Sequence, residues 1–201
     1  MIFKNQDIES RRLFSNNSSW HPEYLGWENI MVINDDLLNV NKKVPWHKHQ
    51  QFDILGYVVD GYVKHTDSLN NNTVVDNTRI QHMWCGDGIS HSEENVGESI
   101  ARYIQIWILP EIFGEKCYYE SINKPTYFNL LNIELKSQNI KIYCGIISQE
   151  KEINILNKGY LYIVSGNVEI EGIIYNEGDS LLLENETIFG KFNGEMILFE
   201  K

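Results

Sequence analysis

Histidine is missing from more than half of this chain: all six (His21, His47, His49, His65, His82 and His91) fall within the first 91 of 201 residues. Whatever its fold, the C-terminal part therefore cannot build an imidazole-based metal site. Cysteine is also scarce. Cys85, Cys117 and Cys144 are an odd, widely spaced trio without a CxxC pair, which argues against a disulfide framework and points to a reducing cytoplasm. Basic charge is in short supply, 17 Lys and Arg against 28 Asp and Glu for a net charge of −11. Such a chain repels phosphate backbones, so nucleic acid is excluded as a partner. No apolar run approaches the roughly 18–20 residues that cross a bilayer. The opening MIFKNQDIESRR carries no apolar core of signal-peptide length. The expectation is a cytoplasmic protein without membrane contact.

Long amphipathic helical patterns are scarce as well, and what is present reads as strand. Short β-branched and aromatic runs recur at residues 29–34, 52–59, 101–109, 140–147, 159–164, 180–183 and 196–200, separated by Gly, Asn and Asp. Many short strands with turn signals between them indicate an all-β sandwich or barrel. Asp60-Gly61 and Ser165-Gly166 read as hairpin turns, and residues 67–72 as an exposed polar loop. An internal boundary is expected after Trp107-Ile108-Leu109-Pro110, followed by linker or a short helix over residues 111–127. The second half then repeats the strand grammar of the first, with Gly178-Asp179 turning into Leu181-Leu182-Leu183.

Two short motifs carry chemistry. His47-Lys48-His49 places two imidazoles at i and i+2, which on a strand aims both at one face. His91-Ser92-Glu93 repeats the spacing with an imidazole and a carboxylate. Either pair alone is common on protein surfaces; two such pairs on adjacent strands supply three nitrogens and one oxygen to one point. That donor set suits Fe(II), Mn, Co, Ni, Cu or Zn, and leaves positions open on a six-coordinate ion. His65 is expected to satisfy a loop hydrogen bond, His82 to line the site wall or face solvent, and Cys85 to be a buried small residue.

The context of these motifs resembles the pirin family of cupins. The resemblance is carried by residues 31–36, His47-Lys48-His49, Phe52-Asp53-Ile54-Leu55, Tyr57 to Gly61, His65-Thr66-Asp67-Ser68, Gly88 to Asn95 and Gln105 to Pro110, in the family's order. It implies a bicupin of two β-barrel (jelly-roll) domains, residues 1–115 binding metal and residues 116–201 forming a degenerate barrel without it. His47, His49, His91 and Glu93 are implied as ligands of one divalent transition metal, with Fe(II) favoured, and Asn95 is expected to be structural. Activity of the quercetin 2,3-dioxygenase type is implied on a flavonol or other enolisable aromatic compound with O2. Glu93 is then the candidate base, and Phe52, Met83, Gln105 and Trp107 are the expected pocket wall. The alternative is a non-catalytic, redox-sensing metal protein acting through a protein partner, with Lys48 and the 67–72 loop as the contact. Departures from the family are Lys48 for Pro, Asp53 for Glu, Asp76-Asn77-Thr78 for Pro-Gly-Asp, Trp84-Cys85 for a small pair, and a shortened segment around Trp20-His21. They bear on the pocket more than on the ligands.

Overall fold

The fold is taken from a computed structural model that describes residues 2–4, 8–14, 26–114 and 116–201; Trp20 and His21 lie outside these. Among the described residues there is no helix, and the chain is all-β. It separates into two compact units, one of residues 1–123 with 135–138, the other of residues 124–134 with 139–201.

Among the described residues the first unit holds eleven strands: β1 (Ile2–Lys4), β2 (Ile8–Arg12), β3 (Ile30–Leu38), β4 (Lys43–His49), β5 (Asp53–Asp60), β6 (Val63–Asp67), β7 (Asn72–Val75), β8 (Arg79–Trp84), β9 (Ile89–Asn95), β10 (Ala101–Ile108) and β11 (Tyr118–Asn123). They form a seven-stranded sheet, β1-β2-β3-β10-β5-β8-β11, and a four-stranded sheet, β4-β9-β6-β7. These sheets are not closed barrels. Val58 of β5 with Ala101 and Tyr103 of β10 pack against Val63 of β6 and Val75 of β7, all buried, so the sheets meet face to face. Burial of each such aliphatic side chain contributes about 1.5–3 kcal/mol.

Three local expectations need correction. Residues 111–127 are neither linker nor helix throughout, because β11 lies within them and pairs along its whole length with β8. Asp60-Gly61 does not close a hairpin: β5 pairs with β8 and β10, whereas β6 pairs with β7 and β9, so the turn carries the chain from one sheet to the other. Gly61 is needed there because its φ is +84° and a Cβ would stand 2.8 Å from the Ala101 Cα. The turn signal was right, but alternation on either side cannot say which sheet the next strand joins.

The second unit is built on β12 (Asn129–Leu130), β13 (Lys141–Ile170), β14 (Ile173–Asn176) and β15 (Ser180–Glu200). Residues 190–200 of β15 pair with both 141–151 and 159–170 of β13. A buried cluster that includes Leu161, Ile163, Val168, Phe192, Met196 and Leu198 forms its core. Ser165-Gly166 is the third correction, since it runs inside β13 opposite Glu195 and Gly194. The tight turn falls instead at Glu171-Gly172, both with positive φ, where Ile170 pairs with Ile173. A two-residue loop of that conformation matches the twist of the strands it joins.

Candidate metal centre

The donor residues come from three neighbouring strands of the four-stranded sheet. His47 of β4 lies opposite His91 of the central strand β9, and His65 of β6 lies opposite Glu93 of β9. Between Val44 and His47 the ladder of β4 and β9 slips by a residue. This bulge contains Pro45, which has no N–H to donate to a ladder, and bulges commonly re-aim side chains beside functional sites. Period-two alternation then presents both motifs on the face turned toward the seven-stranded sheet. Ring centroids lie 4.7 Å apart for His47 and His49, 4.4 Å for His47 and His91, and 5.0 Å for His49 and His91. Nitrogens of His47, His49 and His91 fall within 4.8 Å of one another, as do donor atoms of His65, His91 and Glu93.

The seven-stranded sheet supplies the opposite wall. Glu93, fully buried, accepts hydrogen bonds at Oε1 from Gln105 Nε2 (3.1 Å) and the Tyr103 hydroxyl (3.3 Å). Trp107 Nε1 donates to Gln105 Oε1 at 2.6 Å and fixes that amide. Gln81 Nε2 donates in turn to the Tyr103 hydroxyl. The Trp107 ring meets His49 edge-on at 4.6 Å and lies 5.7 Å from Phe52. Met83 is buried with Ile54, Cys85 and Ile89, a cluster against which Phe52, Trp107, Cys117 and Tyr119 pack.

Polar atoms inside this cluster lack partners. His49 Nε2, both ring nitrogens of His91, His65 Nδ1 and Glu93 Oε2 are buried without a hydrogen bond. His91 Nδ1 stands 3.0 Å from Glu93 Oε1, close enough for charge attraction but without hydrogen-bond alignment. Unpaired buried polar atoms each cost about 1–3 kcal/mol, and their convergence here fits a missing cation. His47 Nδ1 donates to the Pro45 carbonyl at 2.8 Å, which leaves its Nε2 lone pair for a ligand.

Burial, helped by the His91 and His47 charges, pushes the His49 imidazole down to about 3, so it is a neutral donor at any ordinary pH. Burial acts on Glu93 in the opposite sense, but His91, His47 and His65 outweigh it and hold the carboxyl below its ordinary value. Burial and the Glu93 charge push the Tyr103 hydroxyl far upward, which keeps it a donor to Glu93.

His65 does bond a loop residue, its Nε2 standing 2.9 Å from Asp67 Oδ2, yet its ring also stands 5.3 Å from His91. His82 neither lines the site nor faces solvent. It is fully buried, with Nε2 2.8 Å from Asp53 Oδ1 and Nδ1 3.0 Å from Glu120 Oε1. Cys85 is buried. Asn95 is structural, donating to the Leu38 and Ser99 carbonyls and accepting from Gly97 N. Tyr103, Gln81 and Tyr119 join the site without a motif in the sequence to mark them. Tyr103 and Gln105 share the parity of Trp107 along β10, a signal that was available once one of the three was assigned inward.

A double β-sheet with two donor triads between its layers, His47-His49-His91 and His65-His91-Glu93, sharing His91, is the frame of a cupin-type metal protein. A family profile described as Pirin matches residues 2–108, and the chain belongs to the pirin family. The chain is 27% identical to the quercetin 2,3-dioxygenase of Escherichia coli (strain K12), over 96% of this chain and 91% of that protein. It is also 27% identical to a pirin-like protein of Caulobacter vibrioides, over 96% of this chain and 92% of that one. The bacterial pirin YhhW from Escherichia coli, solved in complex with nickel(II), superposes with a TM-score of 0.89 at 26% identity, covering 100% of this chain and 94% of that one.

Proposed function

We propose that this protein is a metal-dependent dioxygenase of the quercetinase type, acting on a flavonol or similar enolisable aromatic compound with O2. Its ligands are His47, His49, His91 and Glu93, in the first half of a bicupin whose second half holds no metal. The observation that carries the reading is the clustering of His47 and His49 with His91, and of Glu93 with that same His91, with buried, unpartnered donor atoms on four of the nitrogens and oxygens. The absence of histidine beyond residue 91 supports confinement of the metal to the first half. Fe(II) is the favoured ion, and Mn, Co, Ni, Cu or Zn suits the same donors. When bound, the ion supplies Lewis acidity toward an acidic substrate hydroxyl and a centre for O2 chemistry.

The chain's own groups divide the remaining work. His47, His49 and His91 hold the ion as neutral imidazoles. Gln105, fixed by Trp107, and Tyr103 hold Oε1 of Glu93 and leave Oε2 without a hydrogen-bond partner. Glu93 serves as a ligand; its base role, taking up the substrate hydroxyl proton on Oε2, requires it to loosen from the ion, because positive charge weakens a carboxylate as a base. Phe52, Met83 and Trp107 provide an apolar wall for an aromatic ring, and Gln105 a polar one.

The test is metal content per chain for protein purified without added metal, wild type against His49→Ala. The expectation is roughly one ion per wild-type chain, lost in the variant, and oxygen uptake with a flavonol by the metal-loaded wild type. Wild type that takes up no metal on titration overturns the reading. Metal binding without turnover of any enolisable aromatic favours instead the non-catalytic protein acting through a partner.

A further inference from the structure

We infer that His65 is a fifth donor of the metal centre, and that His65, His91 and Glu93 form a second position for a divalent transition metal. This rests on the reading of the cluster as a metal centre. Asp67 carries the first part of the argument. Its carboxylate is surrounded by donors: Leu69 N at 2.8 Å, Asn71 N at 3.0 Å, Asn71 Nδ2 at 2.9 Å and His65 Nε2 at 2.9 Å. A carboxylate so placed only accepts, so His65 carries its proton on Nε2 and keeps the lone pair on Nδ1. That Nδ1 is buried and has no hydrogen-bond partner.

Strand pairing brings the donors together. The β6–β9 ladder sets His65 opposite Glu93 and Asp67 opposite His91. Donor atoms of His65, His91 and Glu93 lie within 4.8 Å of one another, and Glu93 Oε2 and both His91 nitrogens are likewise unpartnered. Tyr119 stacks on the His65 ring at 4.2 Å and 11°, which holds the imidazole plane. A carboxylate that fixes the tautomer, an imidazole locked in orientation and an unpartnered buried ring nitrogen on a residue clustered with other donors make the carboxylate–histidine–metal arrangement. A histidine that merely braced the loop would need only its Nε2. The two positions share His91 and Glu93, so a single ion per chain distributes between them.

Equilibrium dialysis with Co(II), followed by metal quantification and visible absorption, tests this on wild type, on His47→Ala/His49→Ala, and on that double variant with His65→Ala added. The wild type is the control for the centre itself. The double variant is expected to retain about one saturable Co(II) per chain, bound roughly 100-fold more weakly, and the triple variant none. A wild type that binds Co(II) beside a folded double variant that does not overturns the inference while leaving the proposed ligands in place. Equal binding by the double and triple variants overturns it too. Should the double variant fail to fold, His65→Gln in the otherwise unchanged chain decides. A changed Co(II) spectrum supports the second position, and an unchanged spectrum and affinity refute it.

Discussion

The metal-free protein should lose stability in mild acid through the buried His49 imidazole. His49 is buried and its pKa is pushed down to about 3 from an ordinary 6.5. Between those values the unfolded chain binds a proton at this position that the folded chain refuses, so stability falls as pH falls. From about pH 7.5 to about pH 5 the cost amounts to roughly 2 kcal/mol. Asp36 works the other way. Burial raises its pKa from 3.8 to about 6, so the folded chain holds a proton that the unfolded chain has released, and the same pH change returns about 1.4 kcal/mol. His65, whose pKa burial also lowers, adds to the acid loss, so the informative quantity is a difference between proteins. Thermal unfolding of chelator-treated wild type and His49→Gln at the two pH values isolates it. Removing the imidazole should abolish about 2 kcal/mol of acid sensitivity, seen as a change of roughly 4–8 °C in the Tm difference between the two pH values. Parallel pH profiles for the two proteins would refute the claim that His49 is held neutral by its surroundings.

Two further predictions concern stability alone. Asp53→Ala strands the buried His82 Nε2 and removes the acceptor of Lys136 N, which lies 2.7 Å from Asp53 Oδ2. Breaking such a buried pair should cost about 3 kcal/mol in urea denaturation, and a loss under about 1 kcal/mol would contradict it. Gly61→Ala and Gly172→Ala both impose positive φ on a side chain, but only at Gly61 would the new Cβ meet backbone. Gly172→Ala should cost about 1 kcal/mol and Gly61→Ala clearly more, and equal midpoints in denaturant would show that the Ala101 contact relaxes freely.

The sequence made strand content and the donor residues legible for one physical reason. Period-two alternation is local, and His47-Lys48-His49 and His91-Ser92-Glu93 each declare a shared face without reference to the rest of the chain. What remained hidden was long-range. Nothing near Asp60-Gly61 says that the next strand leaves the sheet, and nothing near Tyr118 says that it will pair with β8. His82 illustrates the same limit. Its two carboxylate neighbours, Asp53 and Glu120, are brought to it by strands on either side in the sheet, so no spacing in the sequence reveals them. His65 is intermediate: its bond to Asp67 at i+2 was readable, whereas its position opposite Glu93 depends on how β6 pairs with β9.

That pairing has a consequence for how the protein matures. A one-residue slip of either outer strand against β9 would turn its imidazoles to the opposite face of the sheet. Capture of an ion by the cluster therefore favours chains whose three strands are in register, by mass action on the folded state alone. With the proposed centre, metal supply during folding would act as a proofreading step, raising the yield of correctly paired protein rather than only equipping it afterwards.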